Sequence, residues 1–243
     1  MVLKVFGSSS SGNCYLLEGE DGTLIIECGI SATEIKKALN YRLDKVVGCL
    51  VSHQHRDHSK CLKEIVSYGI NVYSLQDVFD SHELKNRAFY NEIQAMRGYM
   101  IGGFKVVGLN LAHDVPCLGF VIEHKEMGKL LFVTDTMMLE YRIPNLNHIM
   151  IEANYSDDTL YRNIDSGIVP FVMKERLLHS HMELETTKGI LSANDLSSVS
   201  EIVLIHLSKN NSDEERFRNE IKQLTGLPTY VAKKGLEIEL RKN

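Results

Sequence analysis

The stretch "VSHQHRDHSK" (residues 51–60) puts three histidines and an aspartate inside six positions, directly behind the apolar run "VVGCL". Spacing sorts this cluster. In a helix, at about 100° per residue, His53 and His55 would point roughly 200° apart and could not share an ion. In an extended segment residues i and i+2 lie on one side, so His53 and His55 face one ion together. Asp57 and His58 follow after the chain turns and face elsewhere. That division serves two ions better than one. The ordinary alternative is a polar surface loop, and the rest of the chain weighs against it.

Four apolar runs end directly on a potential metal ligand: "VVGCLVS" on His53, "VVGLNLA" on His113, "KLLFVT" on Asp135 and "EIVLI" on His206. Strands that share a rim bring their ends together there, outside the carboxyl edge of the sheet. The resulting set is balanced. His53, His55 and His113 take one ion; Asp57, His58 and His206 take the other; Asp135, with two oxygens, bridges. Each ion keeps an open position for water, as catalysis requires. Nitrogen and oxygen donors suit zinc or manganese and accommodate iron.

Around these runs, short strand-like segments alternate with helical ones. Strands are expected at "LKVF", "CYLLE", "TLIIEC", "VVGCLVS" and "INVYSL", with a helix at "ATEIKKALNYR" and another from about Ser59 to Tyr68. Residues 78–100 show no clear period. Strands resume at "KVVGLNLA", "LGFVIEH", "KLLFVTD" and "NHIMIEAN", followed by helices to about Asn194. Strand "EIVLIH", helix "SDEERFRNEIKQL" with Ser212 as its cap, and strand "LEIEL" close the chain. This order predicts an α/β domain covering residues 1–243, with two mixed sheets face to face and helices outside.

H-Q-H-R-D-H resembles the H-x-H-x-D-H signature of the metallo-β-lactamase superfamily, and His113, Asp135 and His206 follow in that family's order. The resemblance implies a four-layer α/β/β/α sandwich. "GSSSSGNCYLLE", "VSHQHRDHS", "FVTDT", "IEANY" and "HLSKNNSD" resemble the YycJ (WalJ) branch of nucleic-acid phosphodiesterases across nearly the whole chain. Two departures stand out. Where the family has Asp before the Gly that ends the third strand, "IIECG" supplies Glu27, expected to steady the ligands from behind. Where the branch has G-H-L-S-N, this chain reads Ser180-His181-Met182-Glu183-Leu184, and only His181 matches. His181 is the candidate proton donor, with Asp57 and Asp135 as the catalytic carboxylates.

Composition narrows the function further. A net charge of −5 argues against a broad basic surface gripping nucleic acid. It leaves room for one positive spot, where two divalent ions outweigh two carboxylates and a hydroxide. Five cysteines form no C-x-x-C pair, and an odd number suits no disulfide framework. The apolar runs are far short of a bilayer span and no export signal is evident, so a cytoplasmic location away from membranes is expected. Asn154, Ser208, Asn210 and Asn211 are candidates for substrate binding, with loop capping as the alternative. His82, His124 and His148 lack such company and are expected in exposed or capping roles.

The leading function is a dinuclear phosphodiesterase of DNA or RNA, exonuclease-like, attacking through a metal-bridging hydroxide. The alternative is a hydrolase of a small cyclic phosphodiester, thioester or lactone, which the same nucleophile could attack. A fold kept only for binding would be expected to have lost ligands.

Overall fold

Alternating apolar residues set the two sheets. In β8 (Phe104–Leu111), Phe104 and Val106 are buried while Lys105 and Asn110 are exposed. β10 (Gly128–Val133) is apolar from Leu130 to Val133 because both of its faces are covered there. The computed structural model describes residues 1–83 and 87–242. Residues 84–86 fall in the stretch without a clear period and, with residue 243, lie outside the described residues.

One sheet contains β1 (Val2–Gly7), β2 (Cys14–Gly19), β3 (Gly22–Ile26), β4 (Val46–Leu50), β5 (Val72–Ser74), β6 (Tyr90–Glu92) and β14 (Glu237–Glu239), in the order β14-β1-β2-β3-β4-β5-β6. The other contains β7 (Gly98–Ile101), β8, β9 (Cys117–His124), β10, β11 (His148–Glu152), β12 (Glu201–Ile205) and β13 (Thr229–Val231), in the order β13-β12-β11-β10-β9-β8-β7. Both are mixed. β3 to β6 run parallel in one, and β10 to β13 run parallel in the other. β8 points the same way as β10, since each is antiparallel to β9. The carboxyl ends of β8, β10, β11 and β12 therefore share one rim.

Between the sheets, Val5, Tyr15, Leu17 and Leu50 meet Phe104, Phe120, Leu130 and Phe132. Full burial of each such side chain contributes about 1.5–3 kcal/mol. Outside the first sheet, Ile25, Cys49 and Val72 pack on α1 (Ala32–Ala38), α3 (Leu62–Ser67) and α4 (Gln76–Ser81) through Ile35, Leu62, Ile65, Val78 and Phe79. Outside the second, Leu131, Val133, Ile149 and Ile202 pack on α7 (Leu184–Ala193) and α8 (Glu214–Thr225) through Leu184, Leu191, Phe217 and Ile221. This is the four-layer α/β/β/α sandwich. Two further helices, α5 (Asp157–Asp165) and α6 (Val172–Ser180), form a small cluster around Tyr155, Leu160 and Val169. Among the described residues no helix is long and apolar enough to cross a membrane.

The structure corrects several boundaries. The helix expected from Ser59 begins three residues earlier as α2 (Arg56–Ser59), and α3 follows as a separate piece. Helix α8 is capped by Asp213, which accepts from Arg216 N at 3.0 Å; Ser212 instead donates to the Ser208 carbonyl. Short β6, β7 and β13 had no clear two-residue period to announce them. His148 is buried, bridging Glu201 and the Met127 carbonyl, and His124 is buried against the Phe104 ring. All five cysteines are buried and free.

Candidate metal centre

The backbone of the His-rich segment is held from behind before its side chains are considered. Asn13 N donates to the Asp57 carbonyl at 2.7 Å, Cys28 N to the His58 carbonyl at 2.8 Å, and Cys61 N to the Cys28 carbonyl at 3.0 Å. Gly29 lies flat against the same turn, where an added Cβ would sit 1.6 Å from the Asp57 carbonyl oxygen. His55 is extended at the head of α2, and its carbonyl accepts from His58 N and Ser59 N. The chain therefore turns between His55 and Asp57. His53 and His55 are left on one side of that turn, Asp57 and His58 on the other.

Three imidazole nitrogens converge. His53 Nε2 lies 3.1 Å from His55 Nδ1, which lies 3.3 Å from His113 Nε2. Nitrogens held about 2.0–2.1 Å from one tetrahedral ion stand roughly 3.4 Å apart. The three therefore have the spacing that a single ion imposes. Their outer nitrogens are committed: His113 Nδ1 donates to the Ser180 carbonyl at 2.9 Å, and His53 Nδ1 meets Ser52 Oγ at 2.9 Å. A donor bond on one ring nitrogen leaves the other with a free lone pair.

A second group lies alongside. His58 Nε2 is 3.4 Å from Asp57 Oδ2 and 3.3 Å from Asp135 Oδ1, and His206 Nε2 is 3.3 Å from Asp57 Oδ2. The Asp135 carboxylate divides between the groups. Its Oδ1 faces His58, and its Oδ2 faces His53 Nε2 at 3.8 Å and His113 Nε2 at 4.0 Å. Glu27, Asp135 and His206 all follow strands and take positive φ angles of 64°, 44° and 54°. This sparsely populated conformation turns each strand end back into the site.

Glu27 stands behind His58, with Oε1 3.4 Å from Nδ1, and accepts from Ser52 N. Glu152 stands behind His206 at 3.1 Å and His181 at 2.8 Å, and accepts from the backbone of Thr136 and Met182 at 3.1 Å. Three buried carboxylates, Glu27, Asp135 and Glu152, thus gather here beside the partly exposed Asp57. Burial would push Asp135 up, but His206 and His58 outweigh it and hold its carboxyl well below the usual range. Burial lowers His53 and His113 and keeps them neutral. Burial also opposes a proton on His206, yet Asp135 and Asp57 raise its pKa to about 10. Asp135 and Glu27 likewise win over burial at His58. Protons on His58 and His206 offset the carboxylates, and a divalent cation can take their place. The donor set fits such ions: neutral imidazoles on one side, shared carboxylates on the other. The buried His58 Nδ1 makes no hydrogen bond and faces Glu27 Oε1 at 3.4 Å, while its Nε2 points to Asp57 and Asp135.

The remaining candidates divide. Asn154 and Asn211 are buried and bond to the protein itself: Asn154 Nδ2 donates to the His206 carbonyl at 2.8 Å, and Asn211 Oδ1 accepts from Asn163 at 3.0 Å. On the same loop Asn210 is exposed, while Ser208 is half-buried and its Oγ caps the loop by accepting from Asn211 N at 3.3 Å. His181 reaches the site, 3.9 Å from Asp135, while His179 is exposed on α6. Sequence reading passed over three residues here. Glu152 ends the apolar run "HIMIE" at the shared rim, so the rule that found Asp135 would also have found it. Asn13 offers Nδ2 3.1 Å from His58 Nε2. Asp114 lies 3.0 Å from His113 Nε2 at the mouth, and only the fold could show that.

The sequence pattern of the metallo-beta-lactamase superfamily matches residues 9–145. Exodeoxyribonuclease YycJ of Bacillus anthracis is 26% identical over 236 residues, spanning 90% of this chain and 87% of that protein. Exodeoxyribonuclease WalJ of Streptococcus pneumoniae is 23% identical over 229 residues, spanning 87% and 83%. The metallo-beta-lactamase fold protein YhfI from Bacillus subtilis superposes with a TM-score of 0.74 at 19% identity over 98% of each chain. The short form of human tRNase Z superposes at 0.64 and 15% identity over 99% of each.

Proposed function

The chain belongs to the metallo-beta-lactamase superfamily of metal-dependent hydrolases, and from that premise we propose that it is a dinuclear phosphodiesterase degrading nucleic acid from an end. One observation carries the reading: seven donor side chains fall into two groups, with the two oxygens of Asp135 divided between them. His53, His55 and His113 would hold one ion; Asp57, His58 and His206 would hold the other; Asp135 would bridge. A bound pair supplies a nucleophile at neutral pH and positive charge for the phosphate oxygens. Zinc, manganese and iron all suit these donors.

The chain's own residues do the rest. Glu27 and Glu152 fix the His58 and His206 rings from behind. His181 Nδ1 is tied to Glu152 at 2.8 Å. Burial opposes a proton on His181, but the Glu152 carboxylate outweighs it and raises the pKa. Glu152 thus favours the protonated form of His181, which would deliver its proton to the leaving oxygen. Ser208 and Asn210, on the loop that follows His206, would contact a nucleic-acid strand in the cytoplasm.

A substrate panel tests the proposal: bis-p-nitrophenyl phosphate, a thioester and end-labelled DNA, each with Zn²⁺ or Mn²⁺. Cleavage of the thioester alone would overturn it in favour of a small-substrate hydrolase. His181→Ala should slow DNA cleavage by about 10²–10⁴-fold. It should leave bis-p-nitrophenyl phosphate nearly untouched, because nitrophenolate departs without a proton. Equal losses on both would remove His181 as donor.

A further inference from the structure

The end of α5, the connection after it and the start of α6 carry an exposed apolar and aromatic surface that the fold does not use. Of twelve large apolar side chains exposed among the described residues, five lie between residues 161 and 173: Tyr161, Ile168, Phe171, Val172 and Met173. A surface of this kind generally marks an interaction site. Lys174 sits among them, its Nζ 4.5 Å from the centre of the Tyr161 ring and 5.8 Å from that of Phe171. Among the described residues no carboxylate lies within ion-pair distance of Lys174. Helix α6 leads into the metal centre. Arg176 approaches Asp114 at 3.9 Å, the Ser180 carbonyl accepts from His113, and His181 follows directly.

We propose that the Tyr161–Lys174–Phe171 surface is a docking platform for single-stranded nucleic acid, on which bases stack as the strand runs along α6 to the metal centre. The inference rests on the phosphodiesterase reading and adds the strand's path. Stacking on aromatic faces combined with cations for phosphate is how single strands are held without regard to sequence. Lys174 and Arg162 supply positive charge here on a protein whose net charge is −5, with Asp165 and Glu175 nearby and Arg176 facing Asp114 at 3.9 Å. Nine helical residues at about 1.5 Å each span roughly 14 Å, or about four nucleotides at a stacked rise of about 3.4 Å. A dinucleotide would be too short to reach the platform, whereas a twelve-residue strand would cover it.

The test compares wild type with a Tyr161→Ala/Phe171→Ala double variant on three ligands: fluorescein-labelled dT12, a thymidine dinucleotide and bis-p-nitrophenyl phosphate. Loss of one stacked base weakens binding about five-fold to a hundred-fold, so KM for dT12 should rise at least about ten-fold. Turnover of the two short substrates should not change, and Phe171→Trp should keep the dT12 KM low. An unchanged KM for dT12 overturns the inference, as does an equal loss on all three substrates, which would make α6 a mere support. If wild type cleaves nothing yet binds dT12, and the variant does not, the platform stands and the phosphodiesterase reading falls. If wild type neither binds nor cleaves dT12, both fall. A dimer that the double variant dissolves without any change toward dT12 would assign the surface to a second copy of the chain.

Discussion

Gly29 shows how a residue with no functional group can decide the chemistry. Its hydrogen faces the Asp57 carbonyl where a methyl group would stand 1.6 Å away. Gly29→Ala must push back the turn that carries Asp57 and His58. Overpacking of this kind costs about 1–3 kcal/mol. The variant should fold with a lowered melting temperature and retain less metal, measured by elemental analysis after gel filtration. Full metal content would show that the turn can shift without its side chains leaving the site. Asp135→Ala removes the one carboxylate that faces both groups, so both ions should be lost together. Loss of one ion alone would assign Asp135 to a single site. Ion binding should also release protons, because His206, with a pKa of about 10, and His58 are charged when no cation offsets Asp135. Affinity should therefore rise with pH across the neutral range. Calorimetry in buffers of different ionisation enthalpy reads the proton release directly.

Elements deliver these residues, and their ends carry the information. The strands β8, β10, β11 and β12 each stop within two residues of His113, Asp135, Glu152 and His206. In β10, β11 and β12 the residues that lead up to the rim are apolar (Leu130 to Val133, Ile149 to Ile151, Ile202 to Ile205), so the polar residues that follow mark it. β8, which also exposes Lys105 and Asn110, carries the signal less cleanly. Helix ends are set by local chemistry of the same kind. Ser31 and Glu34 form a reciprocal cap on α1, and Lys234 adds an ion pair to Glu34 at 2.8 Å. The hydrogen bonds from Lys234 and Ser31 bring the Glu34 pKa down to about 2. A carboxyl with a depressed folded-state pKa stabilises the fold above its ordinary value of about 4.5 and loses that contribution as pH falls toward 2. Glu34→Ala should cost about 1 kcal/mol at pH 7. The gap from wild type should close between about pH 4.5 and pH 2 in thermal melts. A gap independent of pH would mean that the helix end draws nothing from the charge.

On the scale of the molecule, the site joins the two sheets. Glu27 and the segment from His53 to His58 leave the first sheet; His113, Asp135, Glu152 and His206 leave the second. Ions bound there should act as a clasp. An ion at 100 times its dissociation constant adds about 2.7 kcal/mol per site. For a chain of this size that corresponds to roughly 5–11 °C. Chelation should lower the melting temperature by that order, and added Zn²⁺ or Mn²⁺ should restore it. No shift on chelation would show that the sheets hold together equally well without the clasp.

The layer order, the two sides of the His-x-His segment and the strand ends that bring His53, His113, Asp135 and His206 together were legible in the sequence. Each follows from periodicity or from spacing within a few residues, which backbone geometry translates directly into side-chain direction. Tertiary structure alone decided the rest. Asn13 reaches the candidate metal centre from a loop with no apolar run to announce it, and Asp114, one residue past His113, lies at its mouth. Asn154 and Asn211 are turned inward to hold the loop beside His206. α8 starts at Asp213 rather than Ser212 because Ser212 is drawn to the Ser208 carbonyl. The physical reason for the asparagines is distance along the chain: Asn13, Asn154 and Asn211 meet partners 45 to 52 residues away, so their geometry exists only once the sheets have met. Asp114 and Ser212 make local contacts, but which of several polar neighbours each one takes is settled by how the folded loop is held.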